Sequence, residues 1–460
     1  MDTAWNSLNT YSAGARGAMN DLKEVLSDPW AAVNNFHQLH WRIHTMMMLI
    51  GTAGLAFLIM MFLANWTSVG QKTKEAVKEA LPIAKPGSPP IPPPTDIVSL
   101  RIYPIKSCRG IELDKTRLRK TGLTLDRNWM FVAQDDTNSN GAPKFLTIRS
   151  DPSMTLIDTA LVDDPETKQQ NLEISIHGTD ARVLIPAFPT QEWLSNNTTL
   201  KTVEIWEKET DGYVYNDSIN APFSSFFNKP VALVYKGPTH RMVAVNGSKE
   251  LYGVETAHHF ADVMSLQIAS QSSIDDLNRR LEAKGADVPK DLTIERFRPN
   301  IIVRGRDDKP WEEDTWKRIR ITTTLHDEEA MYRIDLDAVA RCARCQVPNV
   351  DPDTAEKHAK EPWDELMKFR RVDEGGPAKW KPCFGMLCIP RSEGKVAVGA
   401  TVEVLETTKN HLYNTRKFAD FPTQNPGNAI ECAISYHEYA ALKRRTKDSN
   451  ASHPAPMQQQ

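Results

Sequence analysis

One stretch of the chain, Thr45 to Ala64 (TMMMLIGTAGLAFLIMMFLA), is twenty residues long and carries no charge. At about 1.5 Å rise per residue such a helix matches the roughly 30 Å hydrocarbon core of a bilayer. The pattern predicts one transmembrane helix, with Trp41 and Trp66 at interfacial depth. Past it the hydrophobic period shortens. From Ile97 (IVSLRIY) onward, apolar and β-branched residues alternate in short runs set apart by turn residues. These are Trp129–Ala133, Leu172–Ile176, Arg182–Leu184, Thr202–Trp206, Val231–Tyr235, Ile301–Val303, Arg318–Thr322, Met331–Leu336 and Thr401–Leu405. Spacing of this kind predicts a β-sheet or barrel protein. Ser272 to Lys284 breaks the rule: Ile274, Leu277 and Leu281 recur at helical spacing, which predicts an amphipathic helix.

Composition then divides the chain. Residues 1–44 form a polar lead-in, 45–64 the expected span, and 65–95 a juxtamembrane stretch ending in the proline-rich spacer KPGSPPIPPPT. From residue 407 an extension follows whose end, from Ser449, is too polar to pack. Lys72, Lys74 and Lys78 follow the span, against Arg42 before it, so the positive-inside rule turns the C-terminal bulk toward the cytosol. A net charge of −3 implies no bulk attraction to nucleic acid. Six cysteines in 460 residues do not make a disulfide framework.

Four segments carry candidate chemistry. Tyr103-Pro-Ile-Lys-Ser-Cys-Arg-Gly110 places Lys106 and Ser107 at a strand end beside a glycine, a setting for an anion or for an ordinary basic loop. Thr124-Leu-Asp-Arg-Asn-Trp129 offers Arg127, which holds either an anion or its neighbour Asp126. Glu295-Arg-Phe-Arg-Pro-Asn300 clusters Arg296, Arg298 and Asn300 before a strand. Arg341-Cys-Ala-Arg-Cys-Gln346, followed by Val350-Asp-Pro-Asp-Thr354, sets two thiols among guanidiniums that favour thiolate. The pair fits a redox Cys-x-x-Cys, a zinc site completed by Cys383 and Cys388, or a single metal-binding thiolate.

In this order and at these distances, the four segments resemble the MOSC-domain family, and within it the mitochondrial amidoxime-reducing components. The similarity runs from about Ile97 to Leu405. It implies a mainly β fold with some α: an N-terminal β-barrel-like domain at 96–235 and a MOSC β-barrel domain at 236–406, preceded by the one transmembrane helix. It also implies a molybdenum–molybdopterin cofactor between the two. Cys345 matches the molybdenum ligand. Lys106, Ser107, Arg127, Arg298, Asn300, Ala343 and Arg344 match or adjoin cofactor-binding positions, and Cys342 becomes a packing residue. Asp353 is a candidate to orient a proton donor, or a turn residue only.

The resemblance further implies two-electron reduction of small N-hydroxylated molecules such as amidoximes and hydroxylamines. Electrons would come from a b-type cytochrome and its flavin reductase, because the chain has no iron–sulfur cysteine run of its own. It places the protein on the mitochondrial outer membrane rather than the endoplasmic reticulum, held by lipid contact with the anchor. Pyridoxal phosphate binding is a lesser expectation. Two alternatives stand beside the reductase: a cofactor-binding or sulfur-carrier MOSC protein, and a zinc-stapled membrane adaptor. Two stretches depart from the family. Asp262-Val-Met-Ser265 replaces a common Asp-Thr-Ser-Pro, and Met386-Leu387 stand where an aromatic is usual.

Overall fold

The computed structural model of the chain describes residues 86–413 except 374 and 376–378, together with Met47, Met48 and the backbone of Gln424–Pro426. The chain divides into two compact units, residues 1–81 and 82–460. Both barrels lie in the second.

The smaller barrel is a closed sheet of Trp129–Thr137, Pro143–Phe145, Thr198–Ile205, Lys208–Tyr215 and Val231–Lys236. Trp129, Phe131, Val203, Ile205 and Val231 to Val234 are buried within it. The helix Asp217–Phe227 covers one side. Asn216 caps it by accepting the Ile219 amide at 3.4 Å, and its Phe223 and Phe227 rings meet Phe131 at 5.1 and 5.7 Å.

The larger sheet has eight strands. Its order is Ile301–Val303, Leu266–Ser270, Cys383–Pro390, Ala330–Ala343, Trp316–Leu325, Thr401–Thr407, Thr95–Ile102 and Ile111–Leu113. It closes on itself because Thr95–Ile102 also pairs with Ile301–Val303. The chain therefore opens in the larger barrel, passes to the smaller one and returns. Leu266–Ser270 and Ile301–Val303 run parallel, and the helix Gln271–Glu282 lies in the connection between them. Its buried face is Ile274, Leu277 and Leu281, as the sequence pattern predicts.

A bulge shapes the strand pair beside the site. Arg341 pairs with Met386 and Ala343 with Cys383, so Phe384 and Gly385 together oppose Cys342. Gly385 takes φ +75°, and a Cβ there would come within 2.7 Å of the Ile268 carbonyl oxygen. Replacing Gly385 with Ala therefore adds about 1–2 kcal/mol of left-handed strain to a backbone clash. The expected loss is about 2 kcal/mol or more, read as a lower denaturation midpoint.

One expectation is overturned. No helix among the described residues is long and apolar enough to cross a membrane. A single-pass protein with its C-terminal domain facing the cytosol, on the mitochondrial outer membrane or elsewhere, is therefore not supported. That placement rested on the hydropathy of Thr45 to Ala64, on the lysines that follow it and on the family resemblance. Thr45 to Ala64 lies outside the described residues except for Met47 and Met48, which are helical and exposed.

Candidate functional site

The first motif turns where the two barrels meet. The Lys106 amide donates to the Trp129 carbonyl at 2.8 Å, and the Trp129 amide donates to the Pro104 carbonyl at 3.0 Å. This loop is thereby stitched to the first strand of the smaller barrel. Ser107, Arg127 and Arg298 all adopt left-handed backbone, at φ 69°, 50° and 57°. Non-glycine residues held this way gather where the surroundings over-determine them, commonly at binding sites. Here the three belong to three separate motifs.

Tyr103 knits those motifs together. Its buried ring meets the guanidiniums of both Arg127 and Arg298, at 4.4 and 4.2 Å from its centroid. Burial, opposed by those guanidiniums, pushes its phenol up to about 12. Arg127 is held at 2.7 Å by both oxygens of the buried Asp126, which also accepts the Tyr103 amide at 2.8 Å. Arg298 donates to the Cys108 carbonyl at 2.7 Å, while its Nη2 is buried without a partner. Asn300 is spent on structure: it bonds the Gln267 amide and the Arg101 carbonyl through its side chain.

These residues face one cleft of about 640 Å³. Lys106, Ser107, Arg127, Arg298, Asn300, Ala343, Arg344 and Cys345 all line it, and so do Arg149, Trp206, Asp262, Gln267, Arg341, Asp373, Lys381 and Tyr413. Of the second group, Arg341 opens the fourth motif and Asp262 opens the stretch that departs from the family; Arg149, Trp206, Gln267, Asp373, Lys381 and Tyr413 stand in no motif of their own. Asp353 is elsewhere. It sits on an exposed turn, does not line the cleft, and is paired to Arg109.

Two local contacts differ from the simplest sequence reading. The guanidinium of Arg344 turns to Cys342, donating to its sulfur at 2.8 Å, and also bonds Gln267 at 3.2 Å and the Phe297 carbonyl at 2.8 Å. Burial pushes the Cys342 thiol up, against the pull of Arg344. Cys345 is half-buried at the cleft. Both are free thiols, and among the described residues no three His, Cys, Asp or Glu side chains stand together as a metal-binding group. The zinc site considered for the four cysteines does not form there.

Lys106 is already engaged, paired to Asp262 and donating to the Phe260 carbonyl at 3.2 Å. Trp206 donates to the same Asp262 carboxylate at 3.0 Å. Burial pushes the Lys106 ammonium down to about 8, against the opposing pull of Asp262. Below that pH it is a cation for an incoming anion, and above it the charge goes. Sulfate affinity measured by calorimetry should therefore decline as pH rises through about 8, and Lys106→Met should flatten the profile. Stability carries the opposite sign. Between about 8 and 10.5 the unfolded chain holds a proton that the folded chain has lost, so this group makes stability rise with pH.

The family description "MOSC N-terminal beta barrel domain" matches residues 95–230, and "MOSC domain" matches residues 255–403. The chain belongs to the MOSC-domain family. Among curated MOSC relatives, the mitochondrial amidoxime reducing component 2 of Bos taurus is 27% identical over 66% of this chain and 82% of its own length. The mitochondrial amidoxime-reducing component 1 of Homo sapiens is 27% identical over 67% of this chain and 82% of its own. A molybdenum cofactor sulfurase of Oryza sativa subsp. japonica is 28% identical over 66% of this chain, but only 34% of that longer protein is covered.

Proposed function

We propose that this MOSC protein binds a molybdenum–molybdopterin cofactor in the cleft, with Cys345 as its protein sulfur ligand, and reduces N–O bonds of small N-hydroxylated molecules. The observation that carries the reading is convergence. Residues of four separated motifs, chosen from sequence, line one cleft together with Cys345. The relatives named as amidoxime-reducing components support the reaction type.

The residues present suit such a group. A phosphate needs fixed cations and unspent donors. Arg298 Nη2 and Arg344 Nε are buried donors without partners in the described structure. Lys106 and Arg127 add charge, and the Ser107 hydroxyl adds a donor. The bound cofactor supplies two-electron redox chemistry. The chain's own part is to grip the phosphate, offer one soft thiolate and enclose the substrate. In the overall reaction the N–O bond breaks, nitrogen leaves reduced and oxygen leaves as water. Two electrons come from a separate electron-transfer protein, a b-type cytochrome served by a flavin reductase, and two protons come from solvent.

A second reading has its own support. Similarity to molybdenum cofactor sulfurase favours a protein that carries the cofactor or its sulfur without reducing anything. Metal analysis of the purified protein, followed by benzamidoxime reduction with a chemical electron donor, separates the two. Bound molybdenum with amidine produced is the expected result. Molybdenum without amidine favours the carrier, and zinc in place of molybdenum sinks both readings.

A further inference from the structure

The family match ends at residue 403, but the wall of the cleft does not. After Thr401–Thr407 the chain turns and runs along the cleft's edge. The Lys409 carbonyl accepts from Arg341 at 3.1 Å. The buried His411 ring donates through Nε2 to the Asp314 carbonyl at 3.0 Å. Tyr413 donates its hydroxyl to Asp373 and packs its ring on Gly375, where a Cβ would lie 2.3 Å from it. Tyr413, Asp373, Lys381 and Arg341 all line the cleft that holds Cys345.

Charge on this wall is unbalanced. Among the described residues Asp373 is the carboxylate here; it is buried, and it is taken by the Tyr413 hydroxyl and by Arg341 at 3.7 Å. Lys381 is exposed to the cleft and, among the described residues, its ammonium has no carboxylate partner. The other acidic groups of the lining, Asp262 and Glu207, sit with Trp206 at the Lys106 side, and Asp262 is held by Lys106.

We propose that this wall, built in part by the segment beyond the family match, is a substrate subsite. Lys381 is its specificity-determining residue, and it favours N-hydroxylated substrates that carry a carboxylate or similar anionic group. Tyr413 acts as a positioning residue: its hydroxyl, together with Arg341, fixes the Asp373 carboxylate in the wall beside Lys381's segment. The proposal rests on the reductase reading for the N-hydroxylated part of the substrate, and on the wall's charge for the anionic part. A cation in a partly enclosed cleft attracts an anion more than an exposed surface pair does, and salt weakens the attraction.

The test uses two probes, benzamidoxime and 4-carboxybenzamidoxime, with the full-length, molybdenum-loaded protein. The expected result is a preference for the carboxylated probe that shrinks with added salt. In Lys381→Met the ratio of kcat/KM, carboxylated over neutral, should fall by about two- to fivefold, mainly through KM, and Lys381→Glu should invert it. Tyr413→Phe should lower the same ratio by a smaller factor. A ratio unchanged in Lys381→Met, or a wild-type preference for the neutral probe, would overturn the proposal. Calorimetric affinities of both probes for the oxidised protein need no turnover. If they show the preference while neither probe is reduced, the subsite stands and the reductase reading fails.

Discussion

Replacing Cys345 with alanine should abolish the proposed N–O reduction and leave the fold intact. The side chain is half-buried at the cleft and belongs to none of the buried hydrophobic clusters. Its loss should therefore move stability by no more than about 0.5 kcal/mol. Losing merely a partner of a metal ligand costs about 10–100-fold in affinity or activity, so losing the ligand itself costs more than about 100-fold. The cations proposed to hold the phosphate are untouched, so on this reading part of the pterin should remain after purification while turnover disappears. Cys342→Ala is the contrast. That sulfur is buried against Arg344 and Gln267, so its removal should disturb packing and leave the metal bound. Pterin fluorescence after acid release, molybdenum content and amidoxime turnover, measured together on both variants, check the pair.

Replacing Arg127 with alanine has the largest expected effect on stability. Asp126 is buried, and its two oxygens are held by this one guanidinium. Burial already pushes the Asp126 carboxyl up, against the pull of Arg127. Without the partner, a buried carboxylate keeps the Tyr103 amide but loses its cation, a loss of about 3–5 kcal/mol. The sign with pH follows. The stranded carboxyl rises further and takes up a proton, so the penalty relative to wild type is largest at neutral pH and shrinks on acidification. Tyr103 also loses one of the two guanidiniums that contact its ring. Arg127→Lys recovers only part, because a single ammonium in the place of Nη1 loses the bond that Nη2 donates to the Arg298 carbonyl at 3.2 Å. Urea unfolding at neutral and acidic pH measures both claims. Cofactor retention should fall in the same variants.

Much of the fold was legible because local patterning and tertiary burial agree. Val231–Tyr235 reads as a strand and forms one within Val231–Lys236. Ile274, Leu277 and Leu281 fall on the buried face of a single helix. The strand Ala330–Ala343 was foreseen only as Met331–Leu336. Its later half, Ala338 to Ala343, carries one arginine, Arg341, and Cys342 in place of a regular alternation, and it stays a strand because it pairs with Cys383–Pro390. The charge pattern that hid the strand belongs to the cleft. The closure of the larger barrel by Thr95–Ile102 was hidden as well, because a pairing between residues so far apart leaves no local signal.

The site divides along the same line. Lys106, Arg127 and Arg298 sit in recognisable motifs, and their shared contacts with Tyr103 or the loop around it follow from the fold. Asp373, Lys381 and Tyr413 lie in unpatterned loops, and only tertiary contact brings them to the cleft. Asp353 shows the reverse. It stands in a recognisable motif, yet the structure places it on an exposed turn with Arg109. A motif fixes where the backbone turns more firmly than where a given side chain is used.

One spectrum decides most of this. X-ray absorption at the molybdenum edge should be recorded for the loaded wild-type protein and for Cys345→Ser. Sulfur scattering that falls by one ligand in the variant is the predicted outcome. An unchanged sulfur shell, or no molybdenum in the wild type, would mean that the thiol at 345 grips no metal.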